Sequence, residues 1–191
     1  YRPKRRTRAT IAKEKGLEPL ADLLFAQLGA EPEKEATAFI DADKEVENVE
    51  DALAGARDII AERVNEDQAV REAVRTYFAE RAVIRSKVIT GKDDEGAKFR
   101  DYFEWEETVS EAPSHRILAM RRGEKEGFLI LRVEPPEEDA LAIIESRVVT
   151  GSGTDSAQVR DAAQDSYRRL LSASLETEMR LMTKLAADEE A

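Results

Sequence analysis

The feature that most constrains the fold of this chain is a set of apolar residues that recur every three or four positions between residues 49 and 64. This spacing matches the 3.6-residue period of an α-helix and differs from the two-residue period of a strand. Asn48, directly before the set, is a favourable N-cap residue. The pattern therefore predicts a helix with one apolar face, carrying Val49, Ala52, Leu53, Ala56, Ile59, Ile60 and Val64.

The same period predicts two further long helices. One extends from Asp67, a suitable N-cap residue, to Ile84. The other covers Asp155 to Ala187 as one long helix or a kinked pair, with Asp155 as its cap. Its apolar seam consists of Tyr167, Leu170, Leu171, Leu175, Met179, Met182 and Leu185.

The apolar run Phe128–Val133 is the best strand candidate, because two prolines close it and it is too short for a typical helix. One strand cannot form a sheet alone. Its partner is expected in residues 87–90, in residues 101–106, or outside the chain. The fold class predicted is mainly α: a multi-helical bundle or array with a long C-terminal helix and at most a short β element near Phe128–Val133.

Three segments are expected along the chain. Residues 1–15 form a basic arm and a first short helix, residues 16–150 a helical scaffold region with the short strand near 128–133, and residues 151–191 a long C-terminal helical segment leading to a further domain. The sequence opens at Tyr1 and ends in helix-forming residues. We therefore expect neighbouring segments on both sides.

Composition excludes several classes of protein. The chain has no cysteine and one histidine, so thiolate metal sites, cysteine nucleophiles and multi-histidine zinc sites are impossible within it. No apolar run approaches the roughly 18 to 20 residues that a membrane helix needs, and no secretory signal opens the sequence. We expect a cytoplasmic protein with no membrane partner and no cofactor or metal.

A basic arm opens the chain, although the net charge of the whole is −11. Clustered Lys and Arg side chains can contact nucleic-acid phosphates without sequence preference. A solvated linker between domains would have the same composition, and the sequence does not decide between the two. The candidate nucleic-acid-binding residues are Arg2, Lys4, Arg5, Arg6 and Arg8.

Four aromatic residues, Phe99, Tyr102, Phe103 and Trp105, lie within seven positions. Aromatic side chains can stack on bases, but neighbouring acidic residues such as Asp101 would repel a phosphate backbone. Large rings otherwise dominate buried area. The sequence favours a place in the core.

No catalytic motif is present. The single histidine, His115, follows Ser114 at an expected helix start, and no Ser/His/Asp arrangement can be nominated. Residues 151–155 follow a predicted helix instead of a strand, so they are a weak phosphate-loop candidate and are better interpreted as a linker and cap. We expect no enzyme activity; a carboxylate-based hydrolase is the competing enzyme hypothesis.

Several ordered strings resemble the Tex family of bacterial transcription accessory proteins. They are KRRTRATIA at residues 4–12 with GLEPL at 16–20, KFRDYFEW at 98–105, PSHRILA at 113–119 with RGEKEG at 122–127, and YRRLL at 167–171 continuing to ETE at 176–178. The resemblance implies a transcription-related role and a mostly helical fold. Tex proteins are similar to a eukaryotic elongation factor and histone chaperone, and they bind nucleic acid, including RNA.

The resemblance also implies what surrounds this segment. The family pattern places a helix-turn-helix region before and around Tyr1, and an RNase-H-like domain without nuclease activity after Ala191. Helix-hairpin-helix units and an OB-fold, to which the main nucleic-acid affinity is attributed, follow. This fragment would then be a scaffold, with nucleic acid and transcription machinery as its expected partners. A free-standing helical adaptor for protein–protein interaction is the alternative.

The matched positions near the strand candidate are expected to be architectural. Ser114 would cap a helix N-terminus, and the glycines would permit a tight exit into the strand that begins at Phe128. The set comprises Ser114, His115, Arg116, Arg122, Gly123, Glu126 and Gly127.

Overall fold

A computed structural model describes residues 6–190 of the chain. The chain folds into two compact units. The first unit holds the described residues up to Glu72 together with Leu141–Leu171. The second holds Ala73–Ala140 and the described residues from Ser172 onward.

Helices dominate both units. In chain order the elements are α1 (Arg8–Glu14), α2 (Glu18–Ala26), α3 (Pro32–Thr37), α4 (Val49–Glu66), α5 (Gln68–Arg81), β1 (Val83–Val88), β2 (Glu104–Thr108), α6 (Ser114–Lys125), β3 (Leu129–Glu134), α7 (Glu137–Val148), α8 (Thr154–Ser166) and α9 (Ser172–Glu190). Short 3₁₀ segments cover Ala42–Lys44, Ala97–Tyr102 and Val109–Glu111. The predicted mainly α fold class is confirmed.

Helix α4 is the central element of the first unit, where α1, α2, α3 and α8 pack against it. The Asn48 side chain accepts a hydrogen bond from the Asp51 backbone N–H at 2.8 Å, which satisfies one of the unpaired donors of the first turn. Gly55 lets Leu17 approach closely, since a Cβ at position 55 would lie 2.3 Å from Leu17 Cδ1. The helix predicted from Val49 to Val64 is therefore confirmed and is two residues longer.

The second predicted helix ends earlier than expected. Asp67 does cap it, because its carboxylate accepts from the Val70 N–H at 3.0 Å. The helix stops at Arg81, however, and the predicted extension to Ile84 is wrong. Ile84 is buried in β1 while its neighbour Arg85 is exposed, which is the alternation of a strand with one buried face.

The second unit contains a three-stranded antiparallel sheet with strand order β2-β1-β3. The strand candidate is confirmed as β3, and its partner β1 overlaps the expected segment 87–90. The other expected segment, 101–106, contributes most of β2, which pairs with the opposite side of β1. The buried face joins one core cluster of Ala82, Ile84, Phe99, Met120, Leu129, Leu131 and Val133.

The aromatic residues belong to this core. Phe99 is buried within the cluster, and Tyr102, Phe103 and Trp105 pack against it. The rings of Tyr102 and Trp105 meet edge to face, with their centroids 6.1 Å apart. The core interpretation of the aromatic segment is confirmed.

The predicted long C-terminal helix is confirmed as helical structure from Thr154 to Glu190, with a π-helical segment at Tyr167–Leu171. The first part of its apolar seam is buried, including Leu171 and Leu175. Farther along, Met182 and Leu185 are more than half exposed.

Within residues 6–190, no helix has the length and apolar character required to cross a bilayer.

Candidate functional site

The described part of the basic arm is anchored at the start of α1. Thr7 and Thr10 form a reciprocal capping box, in which the Thr10 N–H donates to Thr7 Oγ1 at 3.1 Å and the Thr7 N–H to Thr10 Oγ1 at 2.6 Å. The Thr7 hydroxyl also donates to Glu62 of α4 at 2.9 Å. These bonds fix the positions from which Arg6 and Arg8 project. The candidates Arg2, Lys4 and Arg5 lie outside the described residues.

Both described arginines of the arm lie near carboxylates. Arg6 Nη2 is 2.6 Å from Glu14 Oε2 on the exposed side of α1. Arg8 lines a shallow pocket of about 230 Å³ whose charged members include Lys15, Asp51 and Asp58. A phosphate that binds here would have to compete with carboxylates already close to these cations. The pocket is of mixed sign and is not a basic cradle.

The carboxyl group of Asp58 is partly buried against α1 and α8. Burial raises its pKa above the ordinary value of 3.8, and this effect outweighs the nearby guanidinium groups, of which Arg169 lowers the pKa most and Arg8 next. The negative charge of Asp165 adds to the increase. The pocket is also lined by Asp51, so an incoming phosphate would meet more than one carboxyl group there, which argues against a phosphate site in this pocket.

The glycine-containing segment at the start of α8 is bonded to the loop after α2 and does not form a phosphate site. Gly153 occupies the N-cap position, so the prediction that Asp155 caps this helix is wrong. The buried Asp155 carboxylate accepts from the N–H groups of Gly29 at 2.8 Å and Ala30 at 3.1 Å. The Asp155 carboxylate thus occupies two backbone donors that could otherwise bind an anion.

In the matched segment of the second unit, helix α6 begins one residue earlier than predicted. Pro113 occupies the N-cap position of α6, and Ser114 is the first helical residue, so the predicted capping role of Ser114 is wrong by one residue. Pro113 has a φ of −63°, the value its ring imposes, and a ψ of 144°, so it is extended directly before the helix begins. His115, the next residue, is exposed.

Arg116 connects α6 to strand β2. Its Nε lies 3.3 Å from Glu107 Oε1, and its guanidinium carbon lies 5.3 Å from the centroid of the Trp105 ring. Both atoms of the ion pair are buried, and their alignment is not that of a hydrogen bond. Charge attraction and cation–π contact therefore hold this side chain against the protein. Arg116 is engaged internally and is not displayed for phosphate.

The turn from α6 into β3 depends on two glycines. A Cβ at Gly123 would lie 2.4 Å from Leu129 Cδ1, so only glycine allows this close approach. Gly127 has a φ of +86°, which few residues other than glycine adopt. The Phe128 N–H donates to the Gly123 carbonyl at 2.9 Å and closes the turn. The tight exit predicted from the sequence is present.

Arg122 and Glu126, the remaining charged positions of the matched set, are both exposed near this turn. Glu126 Oε1 is 2.7 Å from Lys98 Nζ, which links the end of α6 to the aromatic segment. The Arg122 side chain is exposed, and its backbone carbonyl accepts from the Glu126 N–H at 2.9 Å.

Nowhere in the described part of the chain do three or more acidic or histidine side chains form a group able to hold a metal ion.

Comparison with known proteins shows similarity to one protein family. The model of the Tex central region-like family matches residues 27–191. Protein YhgF of Escherichia coli is 50% identical over 145 residues, which cover 72% of this chain and 19% of that protein. Protein tex of Bordetella pertussis is 44% identical over 133 residues, 70% of this chain and 17% of that protein.

A third relative aligns with the whole chain. Transcriptional accessory protein Tex of Neisseria gonorrhoeae is 36% identical over 199 residues, covering 100% of this chain and 26% of that protein. The chain thus spans between 17% and 26% of the length of these relatives.

Proposed function

This chain belongs to the Tex family, and on that premise we propose that it is a helical scaffold segment of a Tex-type transcription accessory protein. In this role the segment supports the nucleic-acid binding and the transcription-related function of a longer cytoplasmic protein. It catalyses no reaction and requires no cofactor. Its partners are nucleic acid, bound mainly by other parts of the longer protein, and components of the transcription machinery.

The observation that carries the proposal is the internal use of the matched residues. Arg116 holds β2 through Glu107 and Trp105, and Gly123 accommodates Leu129 of β3. Polar and glycine residues that could have formed a catalytic site thus join elements within one unit. This use supports a scaffold better than a catalytic site.

Charge supports a minor and indirect contact with nucleic acid. The net charge is −11, and the two described cations of the arm lie near carboxylates. A chain of this charge repels a phosphate backbone except at the arm. We therefore propose that any nucleic acid that contacts this segment does so weakly, through the arm, and without choice of sequence.

The proposal is tested by comparing affinities at one salt concentration. The chain and the full-length gonococcal Tex protein are titrated against the same labelled single-stranded RNA. We expect the chain to bind at least about tenfold more weakly, because most phosphate contacts lie elsewhere. Equal affinity of the two proteins would contradict the scaffold role.

A second assay addresses the enzyme hypothesis. A carboxylate-based hydrolase would bind Mg²⁺ or Mn²⁺ in calorimetry and would cleave RNA or DNA in its presence. We expect neither heat of specific metal binding nor turnover. Metal-dependent cleavage that is lost after replacement of a carboxylate would overturn the proposal.

A further inference from the structure

The two outer edges of the sheet in the second unit differ. At the β3 edge, Arg180 Nη1 of α9 donates to the Leu131 carbonyl at 2.8 Å. Glu176 of the same helix accepts from the Val133 N–H at 3.0 Å. Side chains of α9 therefore occupy backbone groups that another strand would need, and this edge is closed.

The β2 edge is open. The Val109 N–H donates to the Ala82 carbonyl at 2.9 Å, and the Val88 N–H donates to the Phe103 carbonyl at 3.0 Å. Because backbone groups alternate in direction along an antiparallel strand, the odd-numbered residues of this segment face β1. The N–H and C=O groups of Glu104 and Glu106 and the N–H of Thr108 therefore point away from the sheet. Across residues 6–190 these groups have no hydrogen-bond partner.

The side chains along this edge define the charge of a strand that could pair with it. Glu104 and Glu106 are exposed on one face, opposite Lys87 and Arg85 of β1. Arg85 Nε lies 3.6 Å from Glu106 Oε2, but 60% of the Glu106 side chain remains exposed. A second copy of β2 would set glutamate against glutamate, and like charges across strands are destabilising. A strand with Lys or Arg at alternate positions would instead place a cation beside each carboxylate.

We propose that the outer edge of β2 is a docking site for an extended basic segment of a partner protein, which adds to the sheet as a fourth strand. The outward backbone groups of Glu104, Glu106 and Thr108 provide the ladder, and the two carboxylates select lysine or arginine at every second position. The competing explanation is that charge on a short edge strand only prevents aggregation. The two explanations differ in whether a basic strand binds.

The probe is a fluorescein-labelled, capped peptide of sequence Thr-Lys-Val-Lys-Val-Thr, titrated with the chain at low salt and followed by anisotropy. We expect saturable binding, and at least about tenfold weaker binding when both lysines are replaced by glutamate. Absence of saturable binding would overturn the proposal and leave only the protective role of the charges.

Two N-methylated forms of the peptide distinguish strand addition from simple charge attraction. Each form carries one N-methyl group, and the two methylated nitrogens belong to consecutive residues. Because backbone N–H groups alternate in direction along a strand, one form loses an N–H that faces β2 and the other loses an N–H that faces away. We expect one form to lose about tenfold in affinity or more and the other to change less than about threefold. Equal effects of the two methylations would overturn the proposal.

The protein variant that removes one outward donor is Thr108→Pro. Thr108 has a φ of −67°, which matches proline, and its N–H does not serve the β1 ladder. We expect this variant to bind the peptide more weakly while its circular dichroism stays unchanged. The control variant, Glu111→Gln, changes an exposed carboxylate beyond β2 and should bind the peptide as tightly as the original chain. Unchanged binding by a folded Thr108→Pro protein would contradict the proposal; if that variant does not fold, the methylated peptides decide. Failure of this inference leaves the scaffold function standing, because that function rests on neither the edge nor the peptide.

Discussion

At Asp58, burial and charge act in opposite directions. Burial favours the neutral carboxylic acid, while the guanidinium groups of Arg169 and Arg8 favour the carboxylate. Burial is the larger effect, so the pKa in the folded chain lies above its value in the unfolded chain. The contribution of Asp58 to stability is then fully present below the unfolded pKa, near 3.8, and is lost as the pH rises through the folded pKa.

We therefore predict that Asp58→Asn raises the thermal unfolding midpoint at pH 7, because the amide carries no charge to desolvate. The advantage over the original chain should shrink as the pH falls toward 3.8. Thermal unfolding followed by circular dichroism across this pH range is the measurement. Asp161→Asn, at an exposed position of α8, controls for the loss of one negative charge from an acidic chain. A lower midpoint for Asp58→Asn at pH 7 would show that its ion pairs outweigh the burial.

Two glycines at the end of α6 separate crowding from backbone strain. Gly123→Ala should destabilise the chain by about 1 to 3 kcal/mol, because the added methyl group overlaps Leu129. Gly127→Ala meets no atom within 4 Å, and should cost about 1 kcal/mol through its positive φ alone. Urea unfolding of both variants measures the difference. A neutral Gly123→Ala would mean that Leu129 moves aside freely.

The residue-scale features that sequence predicted are those whose partners are close in the chain. Asn48 and Asp67 cap helices through residues three positions away. Asp155 instead serves donors 126 residues away at Gly29, and no local pattern indicates such a partner. Arg116 has the same difficulty, since its contact with Trp105 exists only after the sheet and α6 have packed.

At the scale of elements, the C-terminal helical segment has a buried part and an exposed part. Leu175 of α9 is 1% exposed, whereas Leu185 of the same helix is 54% exposed. Leu175→Ala should cost about 2 to 5 kcal/mol through lost burial and an unfilled cavity. Leu185→Ala should cost less than about 0.5 kcal/mol and serves as the matched control. Denaturant unfolding gives both values, and equal costs would contradict the burial described for α9.

The three long helical segments were predicted well because each carries several turns of one period. The end of α5 was not, because Ala82 lies four positions after Phe78 and Ile84 lies seven after Tyr77, and both spacings fit a helix before the two-residue alternation of β1 replaces it. Strand β2 also gave no clear signal. Four of its five residues are Glu or Trp in the order Glu-Trp-Glu-Glu, and pairing with β1 supplies the stability that propensity does not.

At the scale of the whole molecule, the chain is acidic apart from a basic start. Five basic residues precede position 9 in a chain of net charge −11. The family resemblance was readable from the sequence and is confirmed by the match over residues 27–191. The engagement of Arg6 with Glu14 was not, because it depends on how α1 begins.

The measurement that tests the scaffold account most directly is the salt dependence of nucleic-acid binding by the chain and by a variant with Arg2, Lys4, Arg5, Arg6 and Arg8 replaced by Ala. Fluorescence anisotropy at two or more salt concentrations gives the slope of log affinity against log salt. With five or fewer phosphate contacts, the slope on duplex DNA should be no steeper than about −4.5, and the variant should lose nearly all binding. Tight binding that survives the five replacements would contradict the account and would indicate a second site, for which Arg121 and Arg122 would be the first residues to replace.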